Sequence, residues 1–322
     1  MAQYARYVES NGIVHTGRVH HGRLQDIPGD PEILDLLNAD EQVRRDLDLR
    51  AGRMQKLPIE NARLAVPVQP RAMRDFLVFE AHIAGMKKTE GGDGSVPEAW
   101  YEAPQFLFMN PWSVVPSGAD IPMPPFTQKL DFELEVAMIV KHTVRDVPIE
   151  EAHEHIAGFC LLNDWSARDV QGREMSVGLG PSKGKDFANT LGPWITTPDE
   201  LEQYREGDRY ALDMSVAING EVVGTDNLRN MSWSFEEMLV HASRDAWVGA
   251  GDVLATGTAS QGALSERWAR AGGELVIPPL QVGDVVTMTV QGLGTIENRI
   301  VEQASPGHTA PPARRTYGPD RL

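Results

Sequence analysis

The chain has 322 residues and a formal net charge of −16 at pH 7, and hydrophobic residues make up 41% of it. So acidic a chain repels phosphate backbones, which argues against nucleic acid as a partner. No apolar run reaches membrane-spanning length, the N-terminus has no signal-peptide pattern, and the only cysteine, Cys160, cannot form an internal disulfide. These features predict a globular protein of the cytoplasm with no membrane partner.

The first 65 residues are predicted to form a small β-rich domain, ahead of a main domain over residues 66–322. Residues 31–50 have apolar side chains at helical spacing, and the proline-bounded stretch 58–70 is predicted to be a linker. Turn signals divide the beginning of the chain into short hairpin strands, at Gly12, Gly17 and Gly22.

The main domain is predicted to be β-rich with a few helices. Residues 90–104 are rich in glycine, proline and acidic side chains, and a loop of this length is typical of an active-site lid. Residues 149–159 have helical spacing ahead of an apolar strand. Alternating apolar residues predict further strands in the C-terminal half, and the segment from Ser305 onward is predicted to wrap the surface or remain loose.

The stretch LDFELEVAMIV, residues 130–140, has the composition of a buried strand but carries Asp131, Glu133 and Glu135 at every second position. Because strand side chains alternate between two faces, the three carboxylates are predicted to share one face, with neighbours about 6–7 Å apart. Converging like charges in a semi-buried place are costly unless another group neutralises them. The pattern therefore indicates that a neutralising group lies opposite this strand.

A second polar cluster follows in NDWSARDVQ, where Asp164, Arg168 and Gln171 have the spacing i, i+4 and i+7. That spacing predicts one face of a helix with Asp164 at its N-cap. A capped surface helix with an Asp–Arg ion pair explains the pattern as well when it is taken alone. Beside the two glutamates, Asp164 adds a third carboxylate for a hard cation such as Mg²⁺ or Ca²⁺. No cysteine or histidine lies in these segments, which disfavours Zn²⁺.

Several motifs in combination resemble the fumarylacetoacetate hydrolase family: the DFELE strand, EAHEHIAGFCLLNDWSARDVQ, KGKDF and GLGTIEN. The resemblance covers about residues 66–305. It implies a mixed α/β, β-rich fold with a strongly curved mixed β-sheet, roll or barrel, and a homodimer. It also implies an enzyme that hydrolyses a C–C bond in a 1,3-diketo acid with the help of a divalent cation. Mg²⁺ is the expected cation, with Mn²⁺ and Ca²⁺ as alternatives.

The same resemblance implies which residues hold the cation and the substrate. Asp131 corresponds to a structural neighbour of the cation site. The family's metal ligands correspond to Asp75, Glu133, Glu135 and Asp164. The donors to the substrate oxygens correspond to Arg168, Gln171, Thr258 and Lys185. Lys185 matches the motif better than Lys183 does, because the family pattern is Lys-x-Phe and Phe187 follows.

The position of His82 relative to Asp75 separates two branches of the family. His82 follows Asp75 by seven residues, which is the spacing of the water-activating histidine in the namesake enzyme. The acylpyruvate branch uses a histidine and a glutamate three residues apart, but position 85 is glycine here. The resemblance therefore implies that His82 is the general base, oriented by a distant glutamate. Glu266 is the candidate, and Glu80 is the alternative.

Other functions would share the predicted metal site. They are an oxaloacetate-type decarboxylase or tautomerase, a hydratase of keto acids, and a catalytically silent metal-binding protein. The silent protein leaves His82 and Lys185 unexplained, because packing needs neither. Two further patterns indicate no site: residues 178–185 lack the spacing of a phosphate loop, and His153 and His155 would point to different sides of a helix.

Overall fold

The structure is a computed structural model that describes residues 2–54, 56–90, 93–305 and 307–313. Within these ranges the strands are β1 Gln3–Val8, β2 Val14–His20, β3 Arg23–Asp26, β4 Lys56–Pro58, β5 Arg63–Ala65, β6 Met73–Phe76, β7 Phe106–Met109, β8 Val114–Val115, β9 Ile121–Pro122, β10 Leu130–Asp131, β11 Leu134–Val140, β12 Ile156–Asp164, β13 Ser166–Ala167, β14 Asn189–Thr196, β15 Arg205–Glu206, β16 Arg209–Tyr210, β17 Asp213–Ile218, β18 Glu221–Asn227, β19 Val253–Ala255, β20 Val285–Val290 and β21 Gly294–Val301. The α-helices are α1 Ile33–Asn38, α2 Glu41–Ala51, α3 Glu80–Met86, α4 Glu98–Glu102, α5 Arg168–Met175, α6 Pro198–Leu201, α7 Phe235–Ser243 and α8 Leu264–Arg270. In the described part of the chain, no helix is long and apolar enough to cross a membrane.

Two mixed sheets form the body of the protein. The larger has the order β4-β3-β2-β1-β14-β12-β11-β19-β6-β7, with β5 paired to β1 and β8 to β14. The smaller has the order β18-β17-β20-β21-β9. Most neighbours are antiparallel, but β19 and β6, β8 and β14, and β21 and β9 run parallel. The mixed, β-rich α/β class is therefore confirmed. Among the described strands, the larger sheet ends at β4 and β7 and is not a closed barrel.

The central strands of the larger sheet are covered on both faces. Val136 and Met138 of β11 pack in one core with Val216 and Met288 of the smaller sheet. The opposite face forms a second core, in which Ala137, Ile139 and Cys160 pack with α1 side chains such as Leu36. Because both faces of β11 and β12 are buried, these strands have nearly continuous apolar sequences.

The N-terminal strands continue the larger sheet. The predicted hairpin strands are confirmed as β1, β2 and β3, which pair with one another in sequence order. Gly12 and Gly22 have positive φ angles of 85° and 70° at the turns, whereas Gly17 lies inside β2 and not in a turn. β1 also pairs with β14 through Gln3 and Tyr4. The division of the chain into two domains at residue 65 stays a prediction.

The helical prediction for residues 149–159 is wrong. Only Ala152–His155 form a single 3-10 turn, and β12 begins at Ile156. β12 pairs with β11 on one side and β14 on the other, so tertiary hydrogen bonding outweighs the local helical spacing.

The lid segment and the C-terminal segment are described only in part. Residues 98–102 of the predicted lid form α4, which packs through the buried Trp100. Residues 91–92 of that segment lie outside the described residues. Residue 306 and residues 314–322 of the C-terminal segment do so as well.

Candidate active site

Four carboxylates converge at one end of the larger sheet. Asp75, Glu133, Glu135 and Asp164 each offer an oxygen, and these atoms lie within 4.8 Å of one another. The strands β12, β11, β19 and β6 are neighbours, and β11 runs antiparallel to β12. The first residues of β11 therefore lie beside Asp164, the last residue of β12. Asp75 joins them from β6, and each of the four residues is at most 6% exposed.

Three buried oxygens of these carboxylates accept no hydrogen bond from the described residues. Among the described residues, Oδ1 of Asp75 and both carboxylate oxygens of Glu135 have no hydrogen-bond partner. Burial raises the pKa of Asp75 and Glu135 well above the ordinary range, and it raises the pKa of Asp164 to about 7. Buried carboxylates without donors are costly, and a bound divalent cation would remove that cost. Four hard oxygen ligands fit Mg²⁺, Mn²⁺ or Ca²⁺.

Lys185 and Arg168 bring positive charge into this acidic cluster. The Lys185 ammonium contacts Glu133 and Asp164, and Nη2 of Arg168 lies 2.7 Å from Oε1 of Glu133. Burial alone would lower the pKa of Lys185, but the two carboxylates outweigh it and hold that pKa above its ordinary value. Burial would raise the pKa of Glu133, but Arg168 and Lys185 hold it well below its usual range. The site therefore keeps fixed positive charges where a developing anion could be stabilised.

Asp131 lies outside the four-carboxylate cluster but contacts the same Arg168 guanidinium as Glu133 does, which is the place expected for a structural neighbour of the cluster. The strand is interrupted after Asp131, because β10 pairs with β13 while β11 pairs with β12. The fully buried Asp131 accepts hydrogen bonds from Nε of Arg168 at 2.8 Å and from the first two backbone N–H groups of α8 at 2.8 and 2.9 Å. Asp131 thus ties the start of α8 to the start of α5.

His82 and Glu266 form a buried pair next to the acidic cluster. Nδ1 of His82, on α3, lies 2.8 Å from Oε2 of Glu266, on α8. Glu266 also accepts hydrogen bonds from the backbone N–H of Gln261 at 2.7 Å and from Nε of Arg270 at 2.8 Å. Burial would raise the pKa of Glu266, but His82 and Arg270 hold it below its usual range. A Nδ1–H that donates to this carboxylate leaves Nε2 of His82 free to accept a proton.

Gly85 makes room for this pair. A Cβ atom at position 85 would lie 2.6 Å from Oε1 of Glu266 and 2.8 Å from Nη2 of Arg270. A side chain on α3 at this position and the Glu266 carboxylate on α8 therefore compete for one space. Glu80, the alternative partner of His82, instead accepts a 2.6 Å hydrogen bond from the Tyr101 hydroxyl and is exposed.

Of the other predicted site residues, Gln171 is connected to the cluster through Arg168. Gln171 accepts a 3.0 Å hydrogen bond from Nη1 of Arg168. Thr258 is buried in the segment between β19 and α8. Lys183 is exposed and binds Asp186 at 2.6 Å, outside the cluster. The prediction of one helical face for Asp164, Arg168 and Gln171 is wrong, because Asp164 belongs to β12 and α5 begins at Arg168 after Ala167.

Two contributors to the site were not found from the sequence. Arg270 contacts Glu266, and its spacing of four residues on a helix is a signal that could have found it. Gln261 contributes its backbone N–H, with a positive φ of 59°, so its side-chain type carries no signal.

Known proteins share sequence and fold with this chain. Residues 71–301 match the family described as fumarylacetoacetate (FAA) hydrolase, C-terminal. The fumarylacetoacetase of Oryza sativa subsp. japonica is 29% identical over 267 residues, and that of Bos taurus is 30% identical over 268 residues. Each match covers 70% of this chain, and the chain spans 62% and 63% of the length of those relatives.

Solved structures extend the similarity over nearly the whole chain. The fumarylacetoacetate hydrolase of psychrophilic Exiguobacterium antarcticum superposes with a TM-score of 0.74 at 25% identity, covering 94% of this chain and 100% of that one. The maleylpyruvate hydrolase of Sphingobium sp. SYK-6, in complex with manganese(II) and pyruvate, has the same fold, with a TM-score of 0.69 at 20% identity and coverage of 94% and 99%. The matched residues cover most of the chain, so this chain belongs to the fumarylacetoacetate hydrolase family. Its buried carboxylate cluster could hold a divalent cation.

Proposed function

We propose that the protein is a divalent-metal-dependent hydrolase that cleaves a C–C bond in a 1,3-diketo acid. The observation that carries the proposal is the His82–Glu266 hydrogen bond of 2.8 Å beside a four-carboxylate cluster. His82 is also close enough to the cluster to contribute to the lowered pKa of Glu133. A base, its orienting acid and a candidate cation site therefore adjoin one another, as hydrolysis of a polarised carbonyl requires.

The ligand set proposed for the cation is Asp75, Glu133, Glu135 and Asp164. A divalent cation bound there would polarise the oxygens of a β-diketone and stabilise negative charge on them. Mg²⁺ is our first choice, and Mn²⁺ and Ca²⁺ suit the same oxygen ligands. The Lys185 ammonium contacts two of these carboxylates. A bound cation would neutralise their charge instead, and the ammonium would then be available to donate to an oxygen of the substrate.

Water activation is assigned to His82. Nε2 of His82 takes a proton from water, and the resulting hydroxide adds to one carbonyl carbon of the substrate. Glu266 keeps Nδ1 protonated and stabilises the imidazolium that forms, since it holds Nδ1 at 2.8 Å and has a lowered pKa. Such a base contributes roughly 10²–10⁴ in rate.

Bond cleavage is assigned to the positive charges of Lys185 and Arg168, which contact the carboxylate cluster. The tetrahedral adduct collapses, the C–C bond breaks, and its electron pair passes to the leaving carbon as an enolate. Lys185 and Arg168 stabilise that enolate, with Gln171 and Thr258 as further contacts to the substrate oxygens. The imidazolium of His82 then returns its proton to the leaving carbon, which regenerates the base. Products are a carboxylic acid and a ketone.

The experiment that tests this function uses acylpyruvates and oxaloacetate as parallel substrates. After dialysis against EDTA, hydrolysis of the acylpyruvate should stop, and Mg²⁺ or Mn²⁺ should restore it. His82→Ala should keep the fold and the metal but lose roughly 10²–10⁴ in kcat. Glu80→Ala is the matched control from the same helix and should retain activity.

Two results would contradict the proposal. Full hydrolysis by metal-free protein would remove the cation from the mechanism. Near-normal hydrolysis by His82→Ala would remove His82 as the base, and turnover of oxaloacetate without hydrolysis of the acylpyruvate would favour decarboxylation, which needs no activated water. We further propose a homodimer, as expected for this family, which light scattering would detect as twice the chain mass of 35.5 kDa.

A further inference from the structure

Two histidines outside the acidic cluster face each other on the surface. His142 follows β11 and His155 precedes β12, and their Nδ1 atoms lie 3.2 Å apart. The ring planes are nearly perpendicular, at 86°, with centroids 5.4 Å apart. The backbone N–H of Lys141 donates to the carbonyl of His155 at 2.8 Å, so the ends of two adjacent strands fix this approach. His142 is exposed and His155 half-buried.

The separation of the two nitrogens is that of ligands on one ion. Imidazole nitrogens bind Zn²⁺ at about 2.0–2.1 Å, and two tetrahedral ligands at that distance lie about 3.3–3.4 Å apart. Burial, together with Lys141 and His155, lowers the pKa of His142, whereas Glu154 acts in the opposite direction. A lowered pKa keeps the imidazole neutral at neutral pH, and the neutral form is the one that binds a metal.

His153 does not belong to this pair. It lines a surface cavity together with Glu202, Arg205 and Glu236. His153 and His155 therefore have different surroundings, and the partner of His155 is His142, thirteen residues earlier in the chain. This leaves His153 as a matched control from the same short turn.

We propose that His142 and His155 form a second metal site, which chelates a transition cation such as Zn²⁺, Ni²⁺ or Cu²⁺ through their two Nδ1 atoms. Water completes the coordination, because the pair is at the surface. Nitrogen ligands select these ions over Mg²⁺ and Ca²⁺, so the site differs in chemistry from the carboxylate cluster. The bound ion would hold together the two ends of the loop that joins β11 to β12. The proposal is independent of the hydrolase function.

The first test is retention of the untagged full chain on immobilised Ni²⁺, in buffer with excess Mg²⁺. An immobilised ion cannot reach the buried carboxylates, so retention reports surface histidines. Wild-type protein should be retained and released by imidazole, and His142→Ala and His155→Ala should each abolish retention. His153→Ala should be retained as the wild type is. The neighbouring rings of His20 and His21 are the competing explanation, and the double variant His20→Ala/His21→Ala should also be retained.

The second test measures the site in solution. Zn²⁺ is titrated calorimetrically into Mg²⁺-saturated protein, and His142→Ala or His155→Ala should weaken one binding event by more than about tenfold. That is the smallest loss usually seen when only a hydrogen-bond partner of a metal ligand is removed. Cu²⁺ bound to the wild type should show coupling to two imidazole nitrogens in its electron paramagnetic resonance spectrum. No retention of the wild type, or binding unchanged in both single variants, would overturn the proposal and leave a hydrogen-bonded imidazole pair.

Discussion

At position 85 a single missing side chain decides which element supplies the acid that orients His82. The Glu266 carboxylate from α8 occupies the space that a Cβ atom on α3 would need. Because α3 carries His82 three residues earlier, the two helices approach each other at the candidate base itself. Glycine is therefore required here for close approach, and not for its backbone conformation.

Gly85→Ala should consequently impair catalysis while it spares the metal site. The added methyl group must displace Glu266 or Arg270, and a misplacement of about 1 Å can cost on the order of 10² in rate. The measurement is kcat on a diketo acid, with Mg²⁺ affinity determined in parallel. Gly52→Ala, where the new Cβ would meet only ordinary contacts of 3.5 Å or more, is the control. Unchanged kcat in Gly85→Ala would contradict the orienting role of Glu266.

Lys185 and Lys183 provide a second comparison between neighbouring residues. Lys185 is buried against Glu133 and Asp164, whereas Lys183 is exposed and binds Asp186. Lys185→Met should lower kcat by roughly 10²–10³, the loss typical of one anion-stabilising donor. It should not weaken Mg²⁺ binding, because the lysine competes with a cation for the same carboxylates. Lys183→Met should be nearly neutral, and the reverse pattern would place the enolate donor two residues earlier.

At the scale of elements, Asp131 connects two helix starts that are nearly a hundred residues apart in sequence, at Arg168 and Leu264. It binds the first N–H groups of α8 and the guanidinium of Arg168 at the start of α5. A carboxylate at a helix start satisfies N–H groups that have no partner inside the helix. The helix that carries Glu266 and the helix that carries Arg168 thus share one buried anchor.

Asp131→Ala should destabilise the protein and reduce activity together. Removing one partner of a buried ion pair costs about 3–5 kcal/mol in the free energy of unfolding. Denaturant titration measures that loss, and Asp131→Asn should recover part of it, because an amide oxygen can still accept hydrogen bonds. Asp120→Ala, at an exposed aspartate, should stay within about 0.5 kcal/mol of the wild type. A loss equally small in Asp131→Ala would show that α8 needs no such anchor.

At the scale of the whole molecule, a bound cation should act as a stabilising ligand. It would join β6, β11 and β12 through four buried carboxylates, two of which have oxygens without donors among the described residues. A ligand that binds only the folded state at a hundred times its dissociation constant adds about 2.7 kcal/mol to stability. Thermal unfolding of metal-free protein should therefore shift upward when Mg²⁺ or Mn²⁺ is added.

Glu135→Gln tests whether cation binding depends on the negative charge of this side chain, because glutamine has nearly the same shape without the charge. The variant should lose most of the metal-induced shift in Tm, because the amide binds a hard cation less strongly than a carboxylate does. Without metal it should unfold no earlier than the wild type, since it removes a buried carboxylate that lacks donors. Glu150→Gln, at an exposed position, should retain the full shift. An undiminished shift in Glu135→Gln would exclude Glu135 as a ligand.

The sequence alone was sufficient for features that depend on local pattern. Alternation predicted the hairpin strands β1 to β3, and Glu133 and Glu135 with Asp164 indicated an acidic site for a hard cation. These inferences hold because strand periodicity and charge repulsion act over a few residues. The family motifs added the expected reaction and the roles of individual residues, which periodicity does not indicate.

Only the tertiary structure decided which distant residues meet. Pairing with β11 and β14 turned residues 156–159 into the start of a strand despite their helical spacing. Pairing of β10 with β13 placed Asp131 where it meets both Arg168 and the start of α8. Contact between α3 and α8 selected Glu266 over Glu80, and the ends of β11 and β12 brought His142 to His155. Each of these depends on sheet register and helix packing, which are set by contacts between segments far apart in sequence, and no local pattern encodes them.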